Sequence, residues 1–194
     1  MSTTEILVAA CDLLPREASA TGGTTADVRA YLDHDEWEVA LELLAELAGT
    51  HPMPVAFWEL LLTAARQLRL GRAAAWCRWR AAESHTGILR CELALVPNAR
   101  RSPIPGAGTL RPFWDVGSHD PNHARALRIA ALWVEDVPEL APGGTATVRL
   151  LPLEPSGWSH LVVGDTIAMH EARPVAGTAV ILEMHGPQPV ISHS

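Results

Sequence analysis

The sequence predicts an α+β chain of two domains: a helical bundle over residues 1–86, then a six-stranded antiparallel β-barrel over residues 87–194 that ends in a C-terminal tail. Three observations carry this reading. Apolar residues recur at helical intervals up to about residue 86, and from Ile88 the period falls to two. The later segments are separated by Pro, Gly, Ser, Asn and Asp clusters, the usual punctuation of short strands.

Within the helical half, TTEILVAACDLL is the first expected helix, with residues 16–23 as a loop. Thr24-Thr25-Ala26-Asp27 has the makings of a capping box, so a helix is expected over about residues 25–33. Asp35 is placed to cap the next helix, where Trp37, Ala40, Leu41, Leu44 and Leu47 form an apolar face and Gly49 is placed as the stop. Pro54 opens a further helix with body FWELLLTAARQL, because its missing N–H does no harm there. Gly71 is expected to break that helix before RAAAWCRWRAAE.

In the second half, ILRCELALV, TLRPFWDVG, RALRIAALWVEDV, TATVRLLPL, TIAMHE and GTAVILEM are the six expected strands. Ala146, Val148 and Leu150 alternate as a half-buried strand requires, with a bend near Pro152. Closure into a barrel removes exposed sheet edges.

Composition narrows the function classes. A chain of 194 residues with 48% hydrophobic content can bury real cores, and no window approaches the roughly 20 apolar residues of a membrane span. The apolar run at the N-terminus has no basic segment before it and is interrupted by Glu5 and Asp12, so the expected location is the cytoplasm. Cys11, Cys77 and Cys91 are far apart, as buried reduced thiols are. All fifteen basic residues are arginine. A phosphate-binding P-loop and Schiff-base chemistry both need a lysine, so neither nucleotide nor cofactor is expected.

No catalytic constellation emerges. His119-Asp120-Pro121-Asn122-His123 places two imidazoles four apart, but the proline opposes the helix that would align them, and no metal is expected. No Gly-x-Ser-x-Gly elbow occurs either. The chain reads as a non-enzyme.

Charge supplies the candidate contact residues. The helical half carries twelve acidic residues against seven arginines, and the barrel half ten against eight, so neither has the basic excess of a non-specific nucleic-acid binder. Asp33, Asp35 and Glu36 crowd one turn, and Glu38, Glu42 and Glu46 repeat every four residues opposite Trp37, Leu41 and Leu44. Like charges at that spacing cost about 0.2–0.5 kcal/mol per pair, so the ridge is a candidate docking surface for a basic protein. Six of the seven tryptophans fall in helical or strand patterns and are expected in cores or interfaces. Trp158, in the turn Ser156-Gly157-Trp158-Ser159, is expected to be exposed and to serve as a contact residue.

Several short motifs occur in order along the second half: Cys91-Glu92-Leu93-Ala94-Leu95, Arg111-Pro112-Phe113-Trp114, Pro142-Gly143-Gly144-Thr145-Ala146-Thr147-Val148, Ile167-Ala168-Met169-His170-Glu171 and Val175-Ala176-Gly177-Thr178-Ala179-Val180-Ile181. Over residues 87–184 this half resembles the third, C-terminal β-barrel domain of elongation factor Tu. That resemblance implies a partner-binding barrel without nucleotide hydrolysis. It also implies an alternative function, translation-associated binding of tRNA-like RNA, through Arg100 and Arg101, which resemble the family's Arg-His-Thr-Pro turn in Arg100-Arg101-Ser102-Pro103, and through Arg173. His170 and Ala172-Arg173-Pro174 depart from the family pattern. The segment RAYLDHDEWEVALELLAEL resembles helical immunity proteins that neutralise bacterial toxins. The expected function is therefore a non-catalytic protein-binding or regulatory role of the immunity kind, through Asp35, Glu38, Glu42, Glu46 and Trp158.

Overall fold

The computed structural model describes residues 1–15, 18–20, 23–50, 53–119, 125–171 and 174–187. Among these the chain divides into two compact units, 1–85 and 86–187.

The first unit contains helices α1 (Thr3–Cys11), α2 (Thr25–Asp33), α3 (Trp37–Leu47), α4 (Val55–Gln67) and α5 (Gly71–Thr86), with a short ladder of β1 (Ser19–Ala20) against β2 (Gly23–Thr24) between α1 and α2. Capping fixes where the first two helices start. The Ser2 hydroxyl accepts the Glu5 N–H at 3.2 Å, and Ser2 N–H donates to Glu5 Oε2 at 2.7 Å. At α2, Thr24 N–H and the Thr24 hydroxyl both donate to Asp27 Oδ2, at 2.7 and 2.8 Å. Those bonds hold the Asp27 carboxyl below its usual range, the side-chain bond from Thr24 contributing most.

Two helix ends differ from the expectation for the same reason. Asp35 does not cap α3; it sits at φ 58° just beyond α2, Glu36 N–H bonds Tyr31 O at 2.9 Å, and Asp35 N–H bonds Leu32 O at 3.2 Å. Glu36 is the N-cap of α3 instead, with no side-chain bond. Gly71 does not break α4 either. Arg69 does so at φ 61°, with Leu70 N–H on Ala65 O at 2.8 Å, and Gly71 is the first residue of α5. Both ends are Schellman caps whose left-handed position is filled by a residue other than glycine. Helix α3 stops at Leu47, and Gly49 lies within a 3₁₀ turn, Ala48–Thr50.

The helices bury one apolar cluster, with Ile6 and Leu7 from α1, Val28 and Leu32 from α2, Leu41, Leu44 and Leu47 from α3, and Phe57, Trp58 and Leu61 from α4 at its centre. At about 25 cal/mol per Å² of apolar area, faces of this kind rather than helix propensity supply the stability.

The second unit contains β3 (Ile88–Leu95), β4 (Ile104–Pro105), β5 (Phe113–His119), β6 (Arg125–Val134), β7 (Glu139–Leu140), β8 (Thr145–Pro152), β9 (Thr166–His170) and β10 (Val175–His185). Six of these close an antiparallel barrel in the order β10-β3-β8-β6-β5-β9, and each contains or overlaps one of the six expected strand segments. The small ladder of β4 on β7 was not anticipated. Alternation sends Leu89, Cys91, Leu93 and Leu95 of β3 inward to meet Val148 and Leu150 of β8, Trp114, Leu132, Ile167, Met169, Ala179 and Ile181. Gly87, at φ 80°, is required where the chain enters β3, since a Cβ there would lie 2.6 Å from His185 O.

Candidate functional site

Helix α3 presents two faces. Ala40, Leu41, Leu43, Leu44 and Leu47 are buried, while Glu38, Glu42 and Glu46 are exposed along one ridge. Trp37 is half-buried, and its indole N–H donates to Thr4 Oγ1 at 3.1 Å, which ties the start of α3 to α1. Just ahead of the ridge, Asp33, Asp35 and Glu36 are exposed at the α2–α3 corner. The backbone geometry at Asp35 creates it. The left-handed residue turns the chain sharply and leaves the Asp35 and Glu36 side chains in solvent. Glu38 lies in the first turn, where the helix dipole favours an anion, and neither Glu38 nor Glu42 pairs with a cation among the described residues.

Trp158 does not join this kind of surface. It was expected to be exposed; it is 2% exposed and belongs to the barrel core. The 3₁₀ turn Pro155–Trp158 folds it inward, because leaving so large an apolar side chain in water costs more than burying it, even with its indole N–H lacking an acceptor among the described residues.

The arginines of the RNA reading are placed differently from one another. The Arg100 side chain is only 7% exposed; it forms an ion pair with Glu171, and its Nε donates to Ser102 O at 2.6 Å. It holds the turn before β4 together, so it does not face solvent as an RNA contact would. Arg101 is exposed, and Arg173 lies outside the described residues.

Two charged clusters were not anticipated. On α5, Arg80 and Glu83 are buried and paired at 3.0 Å, Trp79 Nε1 donates to Glu83 Oε1 at 2.5 Å, and the Arg80 guanidinium stacks 4.4 Å from the Trp58 ring and 5.3 Å from that of Trp76. The i, i+3 spacing in Arg80-Ala81-Ala82-Glu83 was the only local signal. On the barrel, Glu135 accepts from Arg90 at 2.9 Å and from Arg149 at 3.0 Å, and Arg90 also reaches Glu183 at 2.9 Å. Hydrogen bonding to Glu135 holds the Arg90 guanidinium above its ordinary pKa.

Among the described residues, the clusters above do not assemble a nucleophile, base and orienting group. All three cysteines are free and buried, and burial pushes the Cys77 and Cys91 thiols up to about 12, far from the thiolate that reactivity needs. Among the described residues no three His, Cys, Asp or Glu side chains could hold a metal ion. His123 and the side chain of His119 lie outside them. Among the described residues, no helix is long and apolar enough to cross a membrane. No protein-family model and no curated protein matches this chain, so the fold and the side chains alone carry the functional reading.

Proposed function

We propose that the protein is a non-catalytic binding or regulatory protein that docks a basic protein partner on the acidic surface of α3. The observation that carries this reading is the ridge itself, in which Glu38, Glu42 and Glu46 stand exposed on the helix face opposite a fully packed core. A row of like charges weakens its own helix slightly, and complementary charge raises association rates and selects partners. A role of the toxin-immunity kind is the form of this function that the segment around α2 and α3 suggests.

The barrel belongs to the same proposal as a second, separate module of the elongation factor Tu third-domain type. Its support is the order of motifs: Cys91–Leu95 lies in β3, Phe113-Trp114 opens β5, Thr145–Val148 opens β8, Ile167–His170 lies in β9 and Val175–Ile181 in β10. The RNA-binding reading has less support. Arg100 is engaged inside its own turn, and the barrel half is acidic overall.

Affinity capture from a native lysate, with and without ribonuclease, separates the two readings. A protein partner survives ribonuclease, whereas loss of the captured material would transfer the function to RNA.

A further inference from the structure

We propose that two copies of this chain associate through one end of the helical bundle, where an acidic and a basic corner match each other across a two-fold axis. Two hydrogen bonds place the corners at the same end. The Trp37 indole N–H, at the start of α3, donates to Thr4 Oγ1 at 3.1 Å, and the Thr3 hydroxyl donates to Oε1 of Gln67, the last residue of α4, at 2.8 Å. Thr3 and Thr4 open α1, so its first turn joins the start of α3 to the end of α4.

The two corners carry opposite charge. Asp33, Asp35 and Glu36 lead into α3, Arg66, Arg69 and Arg72 surround the passage from α4 into α5, and all six are exposed. None of the six has an ion-pair partner among the described residues. By contrast Arg29 and Arg125, also exposed, each pair with a carboxylate of the chain, Asp12 and Asp115. Both corners are held by the backbone, through Glu36 N–H on Tyr31 O at 2.9 Å and Leu70 N–H on Ala65 O at 2.8 Å, so the charges stand on fixed turns.

A surface that carries its own counter-charge beside it is self-complementary. Turning a second copy by 180° about an axis through the first turn of α1 lays each acidic corner on the basic corner of the other copy, and every contact is made twice. A uniformly basic partner would be repelled by the arginines and a uniformly acidic one by the carboxylates, so a copy of this chain is the occupant that fits. Each chain carries a net charge of −7, which opposes association at long range. Salt at about 0.1 M shortens the screening length to about 10 Å, damping that repulsion while leaving contact pairs in place. Glu42 and Glu46 lie further along α3, so the dimer does not rest on the docking role of the ridge.

Analytical ultracentrifugation of the full-length protein at high micromolar concentration in about 0.1 M salt tests this. Wild type is expected as a reversible dimer that dissociates as salt approaches about 1 M, where screening reaches about 3 Å. Asp33→Arg/Glu36→Arg and Arg66→Glu/Arg72→Glu leave both left-handed turns untouched, and unchanged far-ultraviolet circular dichroism verifies that each variant is folded. Each alone should associate about tenfold more weakly or not at all, because its two corners then bear one sign. An equimolar mixture of the two variants should dimerise again, since every corner of one then meets its opposite on the other. A monomeric wild type, a dimer indifferent to salt, variants that associate like wild type, or a mixture that stays monomeric would each overturn the proposal.

Discussion

The Arg80 guanidinium lies 4.4 Å from the centroid of the Trp58 ring, so a charge at the centre of α5 is held by an aromatic face as well as by Glu83 at 3.0 Å. Both members of the ion pair are buried, and removing one takes a buried counter-charge from the other. Arg80→Ala should therefore destabilise the protein by about 3–5 kcal/mol, and Arg80→Lys should recover only part of it, since an ammonium cannot stack and fork in one position. Urea unfolding of the three proteins checks this. A loss below 1 kcal/mol in Arg80→Ala would show the pair to be dispensable.

Trp158 is an interior residue of the barrel. Trp158→Ala should cost about 3–5 kcal/mol, the usual penalty for emptying a buried aromatic site. Denaturant unfolding measures it. A change within 0.5 kcal/mol would return Trp158 to the surface.

The left-handed position at Arg69 makes a conformational prediction. A side chain there costs about 1–2 kcal/mol that glycine avoids, offset in part by the greater freedom of glycine in the unfolded chain. Arg69→Gly should raise stability by about 0.5–1 kcal/mol and Arg69→Val should lower it, both read from the melting temperature.

Asp27 makes the pH prediction. Its folded pKa is depressed by the bonds from Thr24, so its contribution is present above the unfolded pKa of about 3.8 and is lost as pH falls through the lower folded value. Between pH 5 and pH 2 the wild type should lose more stability than Asp27→Asn. Parallel melting curves of the two proteins across that range would contradict it.

Local pattern made much of this legible. The capping residues Thr24 and Asp27 marked α2 at residues 25–33, and the switch in period at Ile88 marked all six barrel strands, because each depends on residues a few positions apart. The exposed ridge on α3 was legible for the same reason. What sequence could not show depends on distant partners. Arg100 resembles a surface cation until Glu171, 71 residues later, is placed against it. The turn at Trp158 has the composition of a solvent loop, and only the barrel beneath it turns the indole inward. Asp35 and Arg69 take left-handed positions that sequence assigns by default to glycine, so Asp35 was misassigned as the cap of α3 and Gly71 as the break after α4.

The central claim is that the α3 ridge docks a basic partner, and the association rate of Glu38→Gln/Glu42→Gln/Glu46→Gln with the ribonuclease-resistant partner tests it most directly. Relieving the like-charge pairs gains about 0.2–0.5 kcal/mol each, so the triple variant should remain folded. Its association should be slowed about tenfold or more at low salt. The difference should shrink as salt shortens the screening length to about 8 Å at physiological ionic strength. Association at the wild-type rate at low salt would contradict the account.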